Sequence, residues 1–237
     1  MFDNFGFFFP RILEGLPQTV YATLGGIALT IVLALVAGLA MLSRLRVVRF
    51  VARVYVEAFR GTSEVVQLFW IYLVVPILVG FQVVPLAAGI AVLGLNHGAY
   101  GAEIVRGAVQ SVPKAQVEGA VALNFTPAQR LRRVVLPQAF VEMLPPFNNL
   151  FIQLLKSTAL LFFINVPEMT RQVEVLRPNF GESLATMYGI ILVLYLLLAI
   201  VITGVMRWLE RAAARRLGRR PPSRTSALAK VSAGGVG

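Results

Sequence analysis

Cysteine is missing from this sequence and histidine occurs only once, as His97. Without cysteine the chain forms no disulfide and offers no thiolate ligand, and one histidine cannot build a histidine metal site by itself. Charged residues make up only 14% of the chain, and it has no glycine-rich loop that ends in Gly-Lys-Ser or Gly-Lys-Thr to hold the phosphates of ATP. We therefore predict no catalytic residue, no metal site and no cofactor in this chain, which is then not an enzyme.

Apolar residues are what the sequence has in excess. Of its 237 residues 57% are hydrophobic and the mean hydropathy is +0.76, which is too apolar for an ordinary soluble domain. The net charge of +11 could suggest a nucleic-acid partner, but the basic residues form short clusters between apolar runs instead of one basic face. We predict an integral membrane protein whose surroundings are the lipid bilayer, with no nucleic-acid partner.

Five apolar runs are long enough to span a bilayer, whose hydrocarbon core of about 30 Å needs roughly 20 helical residues. The fourth run is expected to be broken at its start by Pro145 and Pro146. These runs predict an all-α integral membrane fold with five transmembrane helices. Their approximate bounds are Thr19 to Leu42, Val65 to Phe81, Pro85 to Val109, Leu144 to Val166 and Ala185 to Trp208.

The basic residues predict the orientation in the membrane. Most of the 22 lysines and arginines lie in residues 43–64, 106–137 and 207–237, and these segments alternate with segments that are poor in them. Since loops rich in lysine and arginine stay in the cytoplasm, the N-terminus is expected outside and the C-terminus inside. The predicted division is an external segment 1–18, a transmembrane domain 19–211 with a cytoplasmic loop 110–140, and a basic, disordered cytoplasmic tail 212–237.

The loop between the third and fourth runs has the residues of two short helices. Pro113 suits the first turn of one helix, and Thr126 followed by Pro127 predicts the N-cap and first position of the other. Asn124 stands between them, where a left-handed residue would satisfy the terminal carbonyls of the first helix. Pro137 is expected to end the second helix.

The same loop contains Glu118-Gly119-Ala120, three residues, Asn124, nine residues, Val134, one residue, and then Leu136-Pro137. This spacing resembles the cytoplasmic signature of the permease family of ABC importers, which has Ala, Gly and Ile where this chain has Gly119, Asn124 and Val134. The resemblance implies the type I importer permease fold. It also implies that six residues couple the chain to an ATPase: Glu118, Gly119, Ala120, Asn124, Leu136 and Pro137.

Longer stretches of the sequence are similar to those of the polar amino-acid permeases of the histidine, glutamine and arginine type. They are YVEAFRGTSEVVQLFW from Tyr55, LNHGAYGAEIVRGAVQSVPKAQ from Leu95, LPQAF from Leu136 and LPPFNNLFIQLLKST from Leu144. The first phrase departs from that group at Ser63-Glu64, where the group has proline and a hydrophobic residue. The departure suggests a divergent substrate, such as an ectoine-type solute.

The resemblance implies a binding-protein-dependent importer of the bacterial inner membrane. Its partners would be a cytoplasmic ABC ATPase dimer that binds the ATP, an extracytoplasmic solute-binding protein, and a second permease subunit that is a copy or a paralogue. A passive channel and a non-transporting scaffold are the alternatives from other classes. An exporter also stays open, because the loop alone does not give the direction of transport.

Polar residues inside the runs are the candidates for a solute pathway, since charge inside a membrane is costly. At helical spacing Asn149, Gln153 and Lys156 share one face of the fourth run, where they could contact the solute or bond to other helices. Glu103 could join the pathway or form a structural pair with Arg106. His97 is expected to be a satisfied buried polar residue.

Two segments outside the runs also carry a prediction. The phenylalanines from Phe5 to Phe9 are expected to anchor the chain at the membrane interface. Residues 167–182, with Glu168, Arg171, Glu174 and Arg177 near helical spacing, are expected to form an external helix, either solvated or in contact with the binding protein.

Overall fold

The computed structural model describes residues 5–80 and 82–216, which form helices and short connections without any strand. Two π-helical segments, Trp70–Val74 and Leu131–Val135, and two 3-10 segments, Thr158–Ile164 and Gly181–Ser183, join the α-helices. The predicted tail lies outside the described residues from position 217 onward. The α-helices are α1 Phe5–Leu13, α2 Leu16–Ala40, α3 Arg46–Arg60, α4 Glu64–Phe69, α5 Val75–Val79, α6 Pro85–Ser111, α7 Lys114–Ala122, α8 Pro127–Arg130, α9 Leu136–Ser157, α10 Met169–Leu176 and α11 Leu184–Arg216.

Within the described ranges, three helical stretches are long and apolar enough to cross a membrane. They are Phe5–Ala40 with 36 residues, Pro127–Ile164 with 38 and Gly181–Arg215 with 35. A fourth arises if Arg46–Arg60 and Glu64–Val79, which meet at a bend of 104°, count as one broken span. The predicted count of five spans stays a prediction.

Helix α6 corresponds to the third predicted span, but it is not one of the stretches that are apolar enough to count as a membrane span. Its 27 residues correspond to about 40 Å of helix, which exceeds the hydrocarbon core. It contains Asn96, His97, Glu103 and Arg106, and it packs against α2, α3 and α9. Because protein rather than lipid covers much of this helix, its residues need not be strongly apolar.

Small residues bring α2 and α6 close together. A Cβ on Gly38 would lie 2.7 Å from the Ala102 carbonyl oxygen, and a Cβ on Gly101 would lie 2.7 Å from the Cβ of Ala34. Both distances are too short for non-bonded atoms, so only glycine fits at these two positions. Small interfacial residues of this kind let helix backbones pack closely where the hydrophobic effect adds little.

The prolines do not break the chain where the sequence suggested. Pro137 was expected to end the second loop helix, but α8, the π segment and α9 form one continuous stretch. In the π segment the Leu136 N–H donates to the Leu131 carbonyl, five residues back, so the widened turn accommodates the missing N–H and the ring of Pro137. Pro76 follows the other π segment at the same distance.

The expected break at Pro145 and Pro146 is also absent, because both lie inside α9. Neighbours of these prolines, Met143, Leu144 and Phe147, belong to a buried cluster that α6 and α11 complete. Tertiary packing therefore holds the helix through a local sequence that disfavours it, as transmembrane helices often allow.

A helix forms at Met169–Leu176, within residues 167–182, as predicted, while its external position stays a prediction. It buries Met169 and Val173 against Phe8 and Ile12 of α1 and Met187 of α11. Its C-terminal end carries the ion pair between Arg177 and Glu174, at 3.2 Å.

The phenylalanine run of α1 is divided by this packing. Phe8 is completely buried, whereas Phe5 and Phe7 are 46% and 42% exposed. Phe8 is therefore a core residue, which corrects its assignment to the interfacial anchor. Only the exposed members of the run are available for that role.

Glu168 caps α10 from a fully buried position, between two of the helical stretches that are long and apolar enough to cross a membrane. Its carboxylate accepts the N–H groups of Thr170 and Arg171, each at 2.7 Å, and the Tyr195 hydroxyl donates to it at 3.3 Å. The Met169 N–H donates to Thr19 Oγ1 of α2 at 3.3 Å, so this turn joins α2, α10 and α11. Burial raises the pKa of Glu168 to about 7, although the backbone hydrogen bonds partly oppose that shift.

The raised pKa predicts that stability falls with rising pH. A carboxyl whose pKa is higher in the folded protein stabilises it fully below pH 4.5 and loses that contribution as the pH rises through about 7. The loss amounts to roughly 3 kcal/mol, at about 1.4 kcal/mol for each unit of raised pKa. Thermal unfolding of the purified protein between pH 4.5 and pH 8 measures it.

Glu168→Gln should abolish this pH dependence, because the amide does not titrate in the range. Glu182→Gln is the matched control, since Glu182 is exposed in the same segment, residues 167–182, and it should leave the dependence intact. An unchanged pH profile in Glu168→Gln would show that another group titrates.

Candidate functional site

The loop after α6 folds into two helices joined by a tight turn at Asn124. Asn124 has a φ of 56°, which confirms the predicted left-handed residue. The Phe125 N–H donates to the Ala120 carbonyl at 3.0 Å and the Asn124 N–H donates to the Val121 carbonyl at 2.9 Å. These bonds form a Schellman motif, which satisfies the last carbonyls of α7 and redirects the chain.

The second loop helix starts as predicted, with Thr126 as N-cap and Pro127 at the first position. The Gln129 N–H donates to Thr126 Oγ1 at 3.3 Å, and the Thr126 N–H donates to Gln129 Oε1 at 2.9 Å. This reciprocal capping box fixes the entry into α8. Its partner Gln129 is three residues after the cap, a spacing that could have been found in the sequence.

One side of α7 is open to a partner. Glu118 and Gly119 are exposed, whereas Ala120 is only 4% exposed. A Cβ added at Gly119 would meet no atom within 4 Å, so this glycine is not required by packing within the chain. A groove of about 380 Å³ adjoins this side. Its lining residues are Ala115, Gln116, Gly119, Ala120, Leu123, Phe125 and Val134.

The other predicted loop residues lie behind this open side. Leu136 and Pro137 are half-buried at the start of α9, immediately after the π segment. Arg133 lies in that segment, and its guanidinium is 6.0 Å from the ring centroid of Phe125. Gly119 and Ala120 therefore share the groove beside α7 with Phe125 and Val134, whereas Pro137 lines a separate groove beside α11.

A second polar region lies beside the bend between α3 and α4. The Gln67 side-chain amide donates to the Phe59 carbonyl at 2.9 Å and to Thr62 Oγ1 at 2.7 Å. Asn96 of α6 donates to the same Phe59 carbonyl at 3.0 Å and to Gln67 Oε1 at 3.1 Å. These bonds satisfy backbone groups that the bend leaves open and fix α3 and α4 to α6.

This bend borders a polar cavity of about 390 Å³. The Ser157 hydroxyl donates to Glu64 Oε2 at 2.9 Å, and His97 Nδ1 is 3.5 Å from Glu64 Oε1. The same Nδ1 donates to the Leu93 carbonyl at 3.1 Å, so His97 is hydrogen-bonded, as predicted. The cavity is lined by Thr62, Glu64, Asn96, His97, Tyr100, Gln153, Lys156 and Ser157.

Two of the four residues predicted for a pathway line this cavity. Gln153 and Lys156 are exposed toward it, and within the described residues no acidic group lies within 4 Å of the Lys156 ammonium. Asn149 is exposed one turn earlier on α9 but is not part of the lining.

Glu103 lies outside this cavity, where it pairs with two arginines. Arg106 donates to Glu103 Oε2 through Nε at 2.7 Å, and Arg60 Nη1 is 3.7 Å from Oε1. The guanidinium of Arg60 also lies 5.2 Å from the ring centroid of Tyr100. The pair with Arg106 is the structural alternative predicted for Glu103, and Arg60 extends it from α6 to α3.

Most residues that line the cavity were not predicted from the sequence. Asn96 with Tyr100, and Gln153 with Ser157, are polar pairs four residues apart within apolar runs, a pattern that places each pair on one helix face. From the sequence, Glu64 was noted only because the polar amino-acid permeases have a hydrophobic residue at its position. Its position beside Ser157 depends on the bend between α3 and α4. Within the described residues, no group of three or more histidine or acidic side chains could hold a metal ion.

Comparisons with known proteins all find membrane components of transport systems. A family model described as the binding-protein-dependent transport system inner membrane component matches residues 26–215. A probable amino-acid ABC transporter permease protein of Sinorhizobium fredii is 42% identical over 207 residues, which are 85% of this chain and 87% of that protein. The glutamine transport system permease protein of Escherichia coli is 36% identical over 204 residues, 85% of this chain and 92% of that protein.

Solved structures agree with the helix arrangement. The crystal structure of an amino acid ABC transporter with histidines matches with a TM-score of 0.77 at 30% identity, covering 86% of this chain and 94% of that chain. An inward-facing methionine ABC transporter matches with a TM-score of 0.72 at 21% identity, covering 86% and 96%, which supports the fold alone. The predicted all-α permease fold is confirmed.

The left-handed turn predicts how substitutions at Asn124 behave. Asn124→Gly should leave α7 intact, whereas Asn124→Val should destabilise its last turn by about 1–2 kcal/mol, because a branched side chain is strained at positive φ. Hydrogen exchange of the α7 amides measures the difference. Asn179→Val is the control, since Asn179 is exposed and has no positive φ, and equal protection in the glycine and valine variants of Asn124 would contradict the turn.

Proposed function

The chain belongs to the family of inner membrane components of binding-protein-dependent transport systems, and from this we propose that it is the permease subunit of an ATP-driven amino-acid importer. The solute is a polar or zwitterionic amino acid or a derivative of one. The observation that carries the proposal is the exposed side of α7, with Glu118 and Gly119 open beside a groove.

The coupling step takes place at α7. A short helix held by a Schellman turn at one end moves as a unit, so a force applied to it reaches the helices that follow. The exposed Glu118 offers an acceptor to an arginine or lysine of an ATPase, and the bare backbone at Gly119 permits close approach. Because α8, the π segment and α9 are continuous, motion of the loop is transmitted into the membrane.

Four partners complete the transporter. Two cytoplasmic ATPase subunits bind and hydrolyse the ATP, and a second permease subunit, a copy or a paralogue, forms the other half of the pathway. An extracytoplasmic solute-binding protein delivers the solute to the outer side, where α10 and its flanking turns lie. This arrangement requires the N-terminus outside and the C-terminus inside the bacterial inner membrane.

The polar cavity is the solute site in this proposal. Lys156, which has no acidic partner among the described residues, can bind the carboxylate of a zwitterion, and Glu64 can bind its ammonium or amidinium group. The side-chain amide of Gln153 adds a neutral donor and acceptor for orientation. A site with one charge of each sign favours a zwitterion over a simple anion or cation, and this includes ectoine-type solutes.

Replacing Glu118 tests the coupling. Glu118→Ala should reduce ATP-driven uptake in proteoliposomes by about tenfold or more, because truncating one member of a buried charge pair removes 2 kcal/mol or more. Basal ATP hydrolysis by the partner should persist. Glu182→Ala, an exposed acid in the outer segment, is the control. Unchanged uptake by Glu118→Ala, or uptake without ATP as in a passive channel, would refute the proposal.

Gly119 gives a second test that separates docking from folding. Gly119→Ala should retain uptake and Gly119→Trp should abolish co-purification of the ATPase, while both keep the unfolding temperature, because the space around this position is open within the chain. A tryptophan variant that still binds its ATPase would place the interface elsewhere.

The cavity assignment is tested with a matched pair of acids. Glu64→Gln and Lys156→Met should each raise the KM for uptake by about tenfold, since each removes one charge-assisted contact to the solute. Glu103→Gln should change KM little, because Glu103 pairs with arginines outside the cavity. Equal effects of the two glutamine variants on KM would contradict the assignment of the cavity as the solute site.

A further inference from the structure

An apolar groove lies between the start of α9 and the end of α11. It has a volume of about 360 Å³, and two of its aromatic side chains, Phe140 and Trp208, are 51% and 66% exposed. Its lining residues are Pro137, Phe140, Val141, Trp208, Leu209, Ala212 and Ala213.

The groove lies where α11 leaves the apolar region. From Ala185 to Met206 the helix has no charged residue, and a run of about 20 residues fills the hydrocarbon core. Arg207 is the first charge after this run, and Trp208 follows it at the depth where tryptophan is enriched in membrane proteins. On α11 the lining therefore begins at the membrane interface, at Trp208, and continues toward the lipid headgroups.

A row of arginines flanks the groove. Arg211 and Arg215 follow Trp208 by three and seven residues, so both lie on its face of α11, and Arg207 is one turn before Arg211. All three are exposed and, within the described part of the chain, none has an ion pair. Glu210 is the acidic residue of this turn, and its position two residues after Trp208 places it on the opposite side of the helix.

We propose that this groove binds an anionic phospholipid of the inner leaflet, with an acyl chain against Phe140 and Trp208 and the headgroup phosphate at Arg211 and Arg215. The apolar lining and the unpaired arginines match the two halves of such a molecule. A zwitterionic lipid has the same chains but no net charge to complement the arginines. The choice of the inner leaflet rests on the proposed orientation.

This site would connect lipid composition to the coupling loop. Pro137 and Phe140 belong to both the groove and the start of the helix that continues from the loop. A lipid bound there stabilises the position of α9 relative to α11 at the end nearest the proposed ATPase.

The two tryptophans of the chain allow a direct test by fluorescence quenching. In Trp70→Phe, Trp208 is the sole tryptophan, and brominated lipids quench it when they are in contact. The full chain is reconstituted in bilayers that contain brominated phosphatidylglycerol or brominated phosphatidylcholine at equal mole fraction. We expect stronger quenching by the anionic lipid, with a preference that declines as salt is raised.

Variants at the arginines test the headgroup contact. Arg211→Gln with Arg215→Gln should reduce the preference for the anionic lipid, by about fivefold for each arginine removed. Two controls accompany this test. Trp208→Phe, which leaves Trp70 as the reporter, should show no comparable preference for the anionic lipid. Arg177→Gln, on the outer side, should leave the preference seen by Trp208 in Trp70→Phe unchanged.

Two outcomes would overturn the proposal. Equal quenching by both lipids would mean that Trp208 meets bulk lipid without a headgroup site, and no quenching by either would mean that protein covers the groove. Neither measurement uses solute or ATP, so failure here is distinguishable from failure of the transport function.

Discussion

The close approach of α2 to α6 is the contact on which the rest of the structure depends. It requires glycine at positions such as Gly38 and Gly101, where any side chain would collide with the neighbouring helix. With α2 in place on one side, α6 can bury Asn96 and His97 without facing lipid, and it continues to Ser111, three residues before α7 begins at Lys114. The middle of α6 therefore lines the polar cavity, and its C-terminal end leads into the loop.

The chain uses the same local device at two functional positions. A π-helical segment precedes Pro76 near the bend and Pro137 near the loop, and each widened turn lets a helix continue through a proline. Since π turns leave the backbone less regular, these are natural points for a change in helix direction. One lies between α4 and α5, and the other lies between the loop helix α8 and α9.

The two candidate sites differ in how far local chemistry determines them. The loop is specified by short-range hydrogen bonds: the Schellman turn at Asn124 and the capping box at Thr126 each involve residues within a few positions of one another. The cavity needs long-range contacts, such as the Ser157 hydroxyl on Glu64, whose residues are 93 positions apart. The proposed solute site therefore depends on assembly of the bundle, whereas the proposed ATPase-docking surface needs only its two helices and the turn.

The sequence by itself determined the membrane class, the family, the turn at Asn124 and the shared face of Gln153 and Lys156, because hydropathy, motif spacing and helical periodicity are local properties. Only the tertiary structure decided that α9 runs through Pro145 and Pro146, that Glu103 pairs with Arg60 as well as Arg106, and that Glu64 lies beside His97. Each of these depends on which helices become neighbours. That choice is made by packing of small and large side chains between segments far apart in the chain, which no local pattern records.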